Sequence, residues 1–362
     1  MRANEHGHLE RRVADAAADV EDTLPGADLR NRRHAQRDRP GEGLEERLPS
    51  PPAAGDRLPL VTDPVVLPCH GSHPAYHPTA GAGNAGDLLA RPDRARYERQ
   101  VPFLSHAGVS LRYDRAGTGP PVLLVHGWTC NRTFWERQVQ TFRDRFTLVT
   151  VDLRGHGESS HPRSGYTIGA LAGDLEHLVR ALGVPRLALV GWSMGGLVVL
   201  ELARRLGERV SALGLVCTTA GGLDDRKSPR AAPDRAAEMR AAVAGDFRAF
   251  VRQLAADFFK KGAESPLHPW AVAQMQKTPP HVASACLEGV LAADLRPHLP
   301  TLDVPTAVLH GRHDRLLPLG DGEALAKGIR GARLVVFEES GHAPFLEEPD
   351  AFNTALGELL AR

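Results

Sequence analysis

The stretch Gly191–Gly196 constrains the fold most, because it joins two apolar segments through a serine set between glycines. Residues 187–190 read Leu-Ala-Leu-Val, which predicts a buried strand, and residues 197–203 are apolar enough to predict a buried helix. Side chains larger than glycine would collide where a strand turns sharply into a helix. The spacing therefore predicts a strand–turn–helix that exposes the Ser193 hydroxyl, in a strained backbone conformation, as a nucleophile.

From residue 101 onward, strand-like apolar segments alternate with segments of helical periodicity. Continuous apolar runs of this kind are typical of parallel strands covered on both faces by helices. The pattern therefore predicts an α/β fold with a mostly parallel, eight-stranded sheet and helices on both faces. The predicted strands span residues 101–106, 109–115, 121–125, 146–151, 186–190, 210–217, 305–310 and 334–337.

The alternation stops at Thr218 and resumes at Val304. Between these points, helical stretches are predicted over residues 231–244, 247–259 and 280–292, broken by glycine and proline. We expect these helices to form a cap, at about residues 219–303, inserted above the sheet of a domain that spans residues 101–362.

Residues 1–100 differ in composition from the rest of the chain. They contain no Phe, Trp, Ile or Lys and show no helical or strand periodicity. Such a segment buries too little apolar surface to offset its ordering entropy, and we predict that it is disordered. An alternative is that translation starts at Val101 and that residues 1–100 are a translated upstream region, because no methionine lies between Met1 and Met194.

Composition excludes several classes of protein. The formal net charge is 0, so no global field favours nucleic acid or an anionic membrane. No apolar run reaches the ~18 residues of a membrane-spanning helix. The four cysteines are widely spaced and form no disulfide or metal motif, which predicts a protein of the reducing cytoplasm.

A serine hydroxyl is a weak nucleophile and needs a general base oriented by a third group. His342 follows the last predicted strand and Asp314 follows the strand before it. The carboxyl ends of parallel strands share one sheet edge, so we predict that Ser193, Asp314 and His342 meet there as nucleophile, orienting acid and base. Two other candidate acids fit less well, because Asp303 precedes its strand and Asp294 lies within or just after the cap.

The oxyanion of such a reaction needs two preorganised N–H donors. One is predicted to be the backbone N–H of Met194, the residue after the nucleophile. The other is predicted to be the backbone N–H of Trp128, which follows the strand at 121–125. Trp128, Trp192 and Phe345 are also predicted to bind substrate as walls of an apolar acyl pocket. The alternative is that they are ordinary core residues.

Five motifs together resemble the α/β-hydrolase superfamily over residues 101–362. They are His126-Gly-Trp128, Asp152-Leu-Arg-Gly-His-Gly-Glu-Ser159, Gly191-Trp-Ser-Met-Gly-Gly196, Gly311-Arg-His-Asp314 and Ser340-Gly-His-Ala-Pro-Phe345. Within it, the motifs at 126–128, 191–196 and 342–345 are most similar to the pimeloyl-acyl-carrier-protein methyl ester esterases. That resemblance implies a carboxylesterase for a short acyl chain, with Trp192 beside the substrate. It also implies an acyl carrier protein as a partner of the basic residues of the cap.

The expected reaction is hydrolysis of a carboxylic ester through an acyl-enzyme, without cofactor or metal. Three alternatives keep the same triad: lactone hydrolysis, perhydrolysis of the cofactor-free haloperoxidase type, and hydrolysis of a carbon–carbon bond. A fourth is a non-catalytic binding module, which the complete set of Ser193, Asp314 and His342 disfavours.

Overall fold

The computed structural model describes residues 102–221 and 233–362. The predicted disorder of residues 1–100 and the alternative start at Val101 lie outside the described residues. Within the described ranges, the chain forms one sheet of eight strands with α-helices between most of them.

The sheet is mostly parallel, as predicted. Its neighbours run in the order β1-β2-β4-β3-β5-β6-β7-β8, and only the β1–β2 and β2–β4 pairs are antiparallel. The strands are β1 Phe103–His106, β2 Val109–Ala116, β3 Pro121–Val125, β4 Thr147–Val151, β5 Leu187–Trp192, β6 Val210–Val216, β7 Thr306–Gly311 and β8 Arg333–Phe337.

The helices complete the α/β layers, and α4 to α7 form the cap between β6 and β7. Helix α3 contacts β3, β5 and β6 and packs against α2. Helix α10 contacts β6, β7 and β8 and packs against α1. The helices are α1 Glu136–Phe142, α2 Ile168–Ala181, α3 Met194–Leu206, α4 Pro233–Ala244, α5 Phe247–Asp257, α6 His268–Met275, α7 Pro280–Ala292, α8 Leu319–Gly328, α9 Pro344–Glu347 and α10 Pro349–Leu360. None of the described helices is long and apolar enough to cross a membrane.

The core lies on the central strands, where the sequence is apolar without alternation. Leu124, Val125, Val151, Leu189 and Val190 are fully buried because helices cover both faces of these strands. This packing fixes the carboxyl ends of β3, β5, β7 and β8 at one sheet edge, where the candidate site residues follow.

One cap helix was not predicted. Helix α6 has Pro269 in its first turn. Proline in this stretch was treated as a residue that breaks helices, so the helix was not predicted. Proline is tolerated at the first helical positions because its missing N–H has no partner inside the helix.

Candidate active site

Ser193 occupies the turn between β5 and α3 in a backbone conformation that is rare for a side-chain-bearing residue. Its φ is 54° and its ψ is −120°. Such a conformation costs about 1–3 kcal/mol and persists only when its surroundings hold it. The Ser193 N–H donates to Val216 O at 2.9 Å, and the Thr218 hydroxyl donates to Ser193 O at 2.7 Å. The strained turn is therefore fastened to the end of β6.

The glycines around Ser193 allow the strand, the helix and the neighbouring loop to approach closely. A Cβ at Gly191 would lie 2.3 Å from Gly195 O. A Cβ at Gly195 would lie 2.5 Å from both Val125 O and His126 O. Backbone atoms cannot move away cheaply, so these positions accept only glycine.

Asp314 and His342 form a buried hydrogen-bonded pair. The His342 Nδ1 lies 2.7 Å from Asp314 Oδ2, while the N–H groups of Leu316 and Leu317 each donate to Asp314 Oδ1 at 2.9 Å. Burial alone would raise the pKa of Asp314, but the attraction and hydrogen bond of His342, the attraction of His310 and the Leu317 N–H together hold that pKa below its usual value. Asp314 is therefore a carboxylate held in place through Oδ1, and its second oxygen, Oδ2, faces the imidazole.

Two further groups approach the same carboxylate. The His310 Nε2 donates to Leu317 O at 2.7 Å and lies 3.4 Å from Asp314 Oδ2. The Cys217 thiol, whose pKa burial raises well above its usual value, groups with Asp314 and His342 so that their ligand atoms lie within 4.8 Å. Nitrogen and oxygen ligands of one tetrahedral metal ion stand roughly 3.3 Å apart. The 2.7 Å between Asp314 and His342 is a hydrogen-bond distance, so this cluster is arranged for proton sharing.

The backbone of His342 is held from both sides. Its N–H donates to Phe258 O at 2.8 Å, and the indole N–H of Trp192 donates to its carbonyl at 2.7 Å. The imidazole packs in a triangle with the rings of Trp192 and Phe258: its centroid lies 5.6 and 5.5 Å from theirs, which are 5.1 Å apart. Among the described residues, the buried Nε2 of His342 has no hydrogen-bond partner, which leaves its lone pair available.

Trp192 and Phe345 do not line the cavity beside Ser193. Both side chains are fully buried, and their rings pack edge-to-face at 4.9 Å behind His342. This placement corrects the predicted substrate contact of both residues and agrees with the core alternative. Of the two residues next to Ser193, Met194 lines the cavity, whereas Trp192 is turned into the core.

The cavity beside Ser193 is apolar and lies between the sheet and the cap. The space that the centre of a water-sized sphere can reach in it is about 70 Å³, so the cavity is narrow in this structure. No charged side chain belongs to the lining in the part of the chain that is described. The lining residues are Trp128, Ser193, Met194, Leu197, Thr218, Thr219, Met239, Leu254, Leu287, Val290, Leu316 and Leu317.

The two predicted oxyanion donors belong to residues of the cavity wall. Met194 is the first residue of α3, and N–H groups in a first helical turn have no acceptor within the helix. Trp128 lies three residues beyond the end of β3, and its indole N–H donates to Ala283 O of α7 at 3.0 Å. The indole is thereby committed to the cap, whereas its backbone N–H belongs to the loop above Ser193.

His126 holds that loop, a role that the sequence analysis did not assign. Its Nδ1 lies 2.8 Å from Gly127 O, and its Nε2 accepts from Leu153 N–H at 3.0 Å, so the hydrogen bonds assign the proton to Nδ1. Burial lowers the pKa of His126 to about 4, which keeps the ring neutral. Because Gly127 O and the Trp128 N–H belong to one planar peptide, His126 fixes the orientation of the predicted oxyanion donor.

A buried ion-pair network supports the neighbouring loop after β4. The fully buried carboxylate of Asp152 accepts from the backbone N–H groups of Arg132 at 2.7 Å and Glu158 at 2.8 Å. The Arg132 guanidinium pairs with Asp152 at 2.5 Å and with Asp114 at 2.8 Å. Asp152 therefore organises loops rather than facing the cavity.

Known proteins resemble this chain in both sequence and structure. A family model described as the alpha/beta hydrolase fold matches residues 120–349. The chain is 31% identical over 260 residues to the pimeloyl-[acyl-carrier protein] methyl ester esterase of Vibrio vulnificus (strain YJ016), covering 67% of this chain and 94% of that protein. An esterase (EaEST) from Exiguobacterium antarcticum superposes with a TM-score of 0.69 at 29% identity, covering 72% of this chain and 99% of that one. The enol-lactonase from Burkholderia xenovorans LB400 gives a TM-score of 0.66 at 28% identity, covering 72% and 100%.

The family match covers more than half of the chain, so the chain belongs to the α/β-hydrolase family. It is an enzyme of the hydrolase class, and its similarity to esterases of this family confirms the resemblance predicted from the motifs.

Proposed function

We propose that this chain hydrolyses carboxylic esters with an apolar acyl group, through an acyl-enzyme on Ser193. His342 is the general base, Asp314 orients it, and the backbone N–H groups of Trp128 and Met194 bind the oxyanion. The observation that carries the proposal is the position of Ser193: it lies in the wall of an apolar cavity on a strained turn.

Acylation begins with attack of Ser193 Oγ on the ester carbonyl carbon, while its proton passes to His342 Nε2. The imidazolium is stabilised by Asp314, 2.7 Å from Nδ1. The developing oxyanion is bound by the two backbone N–H groups, one of them at the N-terminus of α3. When the tetrahedral intermediate collapses, the carbon–oxygen bond to the alcohol breaks and His342 returns the proton to the departing alkoxide.

Deacylation repeats these steps with water. His342 removes a proton from the water as its oxygen attacks the acyl carbon, and the carboxylic acid leaves as the Ser193 hydroxyl is regenerated. Neither half-reaction draws on a metal or a cofactor, because His342 and the two N–H groups supply the proton transfer and charge stabilisation.

The proposal is tested with p-nitrophenyl esters of two to eight carbons and with a fluorophosphonate probe read out by intact mass. We expect hydrolysis, labelling at Ser193, and loss of both in Ser193→Ala. Ser284→Ala, an exposed serine of the cap, is the matched control and should keep wild-type turnover. A Ser193→Ala protein that keeps turnover of p-nitrophenyl butyrate would overturn the proposal.

Lactone hydrolysis is the second candidate, favoured by the similarity to a solved enol-lactonase. The same atoms can open a cyclic ester, and the acid and alcohol then remain in one molecule. Parallel measurement of kcat/KM on chain-matched esters and lactones distinguishes the two. A larger kcat/KM for lactones would make this candidate the main reaction.

An acyl-carrier-protein thioester or ester is a further form of substrate, supported only by the similarity to the Vibrio esterase. A cavity lined by Leu, Met, Val and Trp suits a methylene chain, whatever the chain is attached to. Comparison of a free methyl ester with the same acyl group on a carrier protein tests this. A kcat/KM that is no higher for the carrier-bound form would remove the carrier from the proposal.

A further inference from the structure

Glu347, in the short helix α9, bridges two separate parts of the chain with its two carboxylate oxygens. The Gly341 N–H donates to Glu347 Oε2 at 2.6 Å, and the Lys260 N–H donates to Glu347 Oε1 at 2.8 Å. Gly341 immediately precedes His342, whereas Lys260 belongs to the segment that follows α5 of the cap. One carboxylate therefore ties the loop of the candidate base to the cap.

The two segments that Glu347 joins are already in contact. His342 N–H donates to Phe258 O at 2.8 Å, and a Cβ at Gly341 would lie 2.8 Å from Phe258 O and 3.0 Å from Lys260 N. A displacement of the cap segment would therefore shift the backbone of His342 directly, through these contacts.

The next residue, Glu348, provides an internal comparison. It also holds the loop before His342, but it accepts both the Glu339 N–H at 3.0 Å and the Ser340 hydroxyl at 2.6 Å on the single oxygen Oε2. Glutamine has one acceptor oxygen and an NH₂ that only donates. A glutamine at 348 can keep both bonds, whereas a glutamine at 347 can accept only one of the two N–H groups.

We propose that Glu347 is a positioning residue, whose carboxylate couples the cap segment at Lys260 to the loop that carries His342 and so sets the position of the base. The inference rests on the proposed role of His342. Glu347 does not touch substrate and acts only through the backbone of Gly341.

Protonation of Glu347 breaks this link, because the protonated oxygen becomes a donor facing an N–H group. Burial, with the charge of Glu348, raises the pKa of Glu347 to about 7 against the two N–H bonds. Among the described residues, the other charged and titratable groups near it include Lys260, which pairs with Glu339, Arg315, which donates to Lys260 O at 3.1 Å, and the Cys217 thiol. The coupling is therefore expected to weaken as the pH falls below neutrality.

The first test compares E347Q with E348Q by steady-state kinetics on a p-nitrophenyl ester. We expect E347Q to lose about tenfold to a hundredfold in kcat with little change in KM, because the base is misplaced while the cavity is intact. E348Q should stay within about twofold of wild type. The acid limb of the plot of kcat/KM against pH should be less steep in E347Q, because residue 347 no longer ionises.

E347Q with wild-type kcat and acid limb, or an E348Q that loses as much kcat as E347Q, would refute the coupling. A second measurement needs no variant, in case E347Q does not fold. In the full chain, the backbone amide proton shifts of Gly341 and Lys260 should titrate together with one midpoint. Different midpoints, or no titration of either amide, would equally overturn the proposal.

The two proposals fail separately. A Ser193→Ala protein that keeps ester turnover contradicts the proposed function, whereas the common titration of Gly341 and Lys260 reports only on the link through Glu347. Fluorophosphonate labelling of Ser193 in E347Q should persist at a reduced rate, and an unchanged rate would count against the positioning role.

Discussion

Replacement of Asp314 by asparagine changes one atom and is expected to disable the candidate base. Asp314 Oδ1 accepts two backbone N–H groups, from Leu316 and Leu317, each at 2.9 Å. In the Asp314→Asn protein, the amide oxygen must stay at that position to keep both bonds. The NH₂ group is then forced to face His342 Nδ1 and also the Nε2–H of His310, which lies 3.4 Å from the present Oδ2.

An NH₂ group opposite His342 Nδ1 selects the wrong tautomer of the imidazole. Nδ1 must then accept, the ring proton moves to Nε2, and Nε2 can no longer take the proton of Ser193. The same change in a serine–histidine–aspartate triad costs about 10⁴-fold in kcat, or about 5.4 kcal/mol of transition-state stabilisation. We expect a loss of this order in kcat, with KM changed little because Asp314 does not line the cavity.

The assay is hydrolysis of p-nitrophenyl butyrate, with thermal unfolding followed by circular dichroism to verify the fold. Asp303→Asn is the matched control, because Asp303 precedes β7 and its side chain is 88% exposed. It should keep wild-type kcat. An Asp314→Asn protein that folds and stays within about tenfold of wild-type kcat would refute the tautomer argument.

Three further predictions concern the turn, the cavity and pH. Gly195→Ala should lower the free energy of unfolding in urea by about 3 kcal/mol, since its Cβ would meet two backbone oxygens at 2.5 Å. The helical Gly169→Ala should be neutral or stabilising, and equal losses would contradict the steric reasoning. Leu287→Trp should reduce kcat/KM for p-nitrophenyl octanoate more than for the acetate; a uniform loss would argue against the cavity as the acyl site. For Glu347, whose pKa rises from 4.5 to about 7 on folding, the folded chain holds the extra proton, so unfolding free energy should fall as the pH rises through that window. E347Q should flatten this fall, and an unchanged pH dependence would exclude Glu347 as its source.

Strong local signals in the sequence allowed most of the fold to be predicted. The central strands are continuous apolar runs, and Thr167 caps α2 by accepting from Ala170 N–H, as its N-cap residue type predicts. Helix α6 was missed, because it is short and has proline in its first turn. Helix α1 begins only at Glu136, because Asn131 caps a 3-10 turn at Arg132–Trp135 that precedes the helix.

The sequence allowed us to predict which residues reach the site, because the order of the strands determines which residues follow their carboxyl ends. Residues that follow the parallel strands reach one sheet edge, and Asp314 and His342 meet there at 2.7 Å. The direction of a side chain was not predictable in the same way. Trp192 precedes Ser193 and Phe345 lies three residues after His342, yet both side chains are buried in the core and pack against each other.

The sequence by itself determined the sheet, the strained turn at Ser193 and the positions available to its partners. These follow from local patterns, namely apolar periodicity, glycine spacing and the strand after which each residue falls. Only the tertiary structure decided which groups face the cavity and which support the site residues through hydrogen bonds outside the cavity. The roles of His126 and Glu347 depend on hydrogen bonds to the backbone of distant segments, and such bonds leave no periodic trace in a sequence because any residue can supply the N–H or the carbonyl.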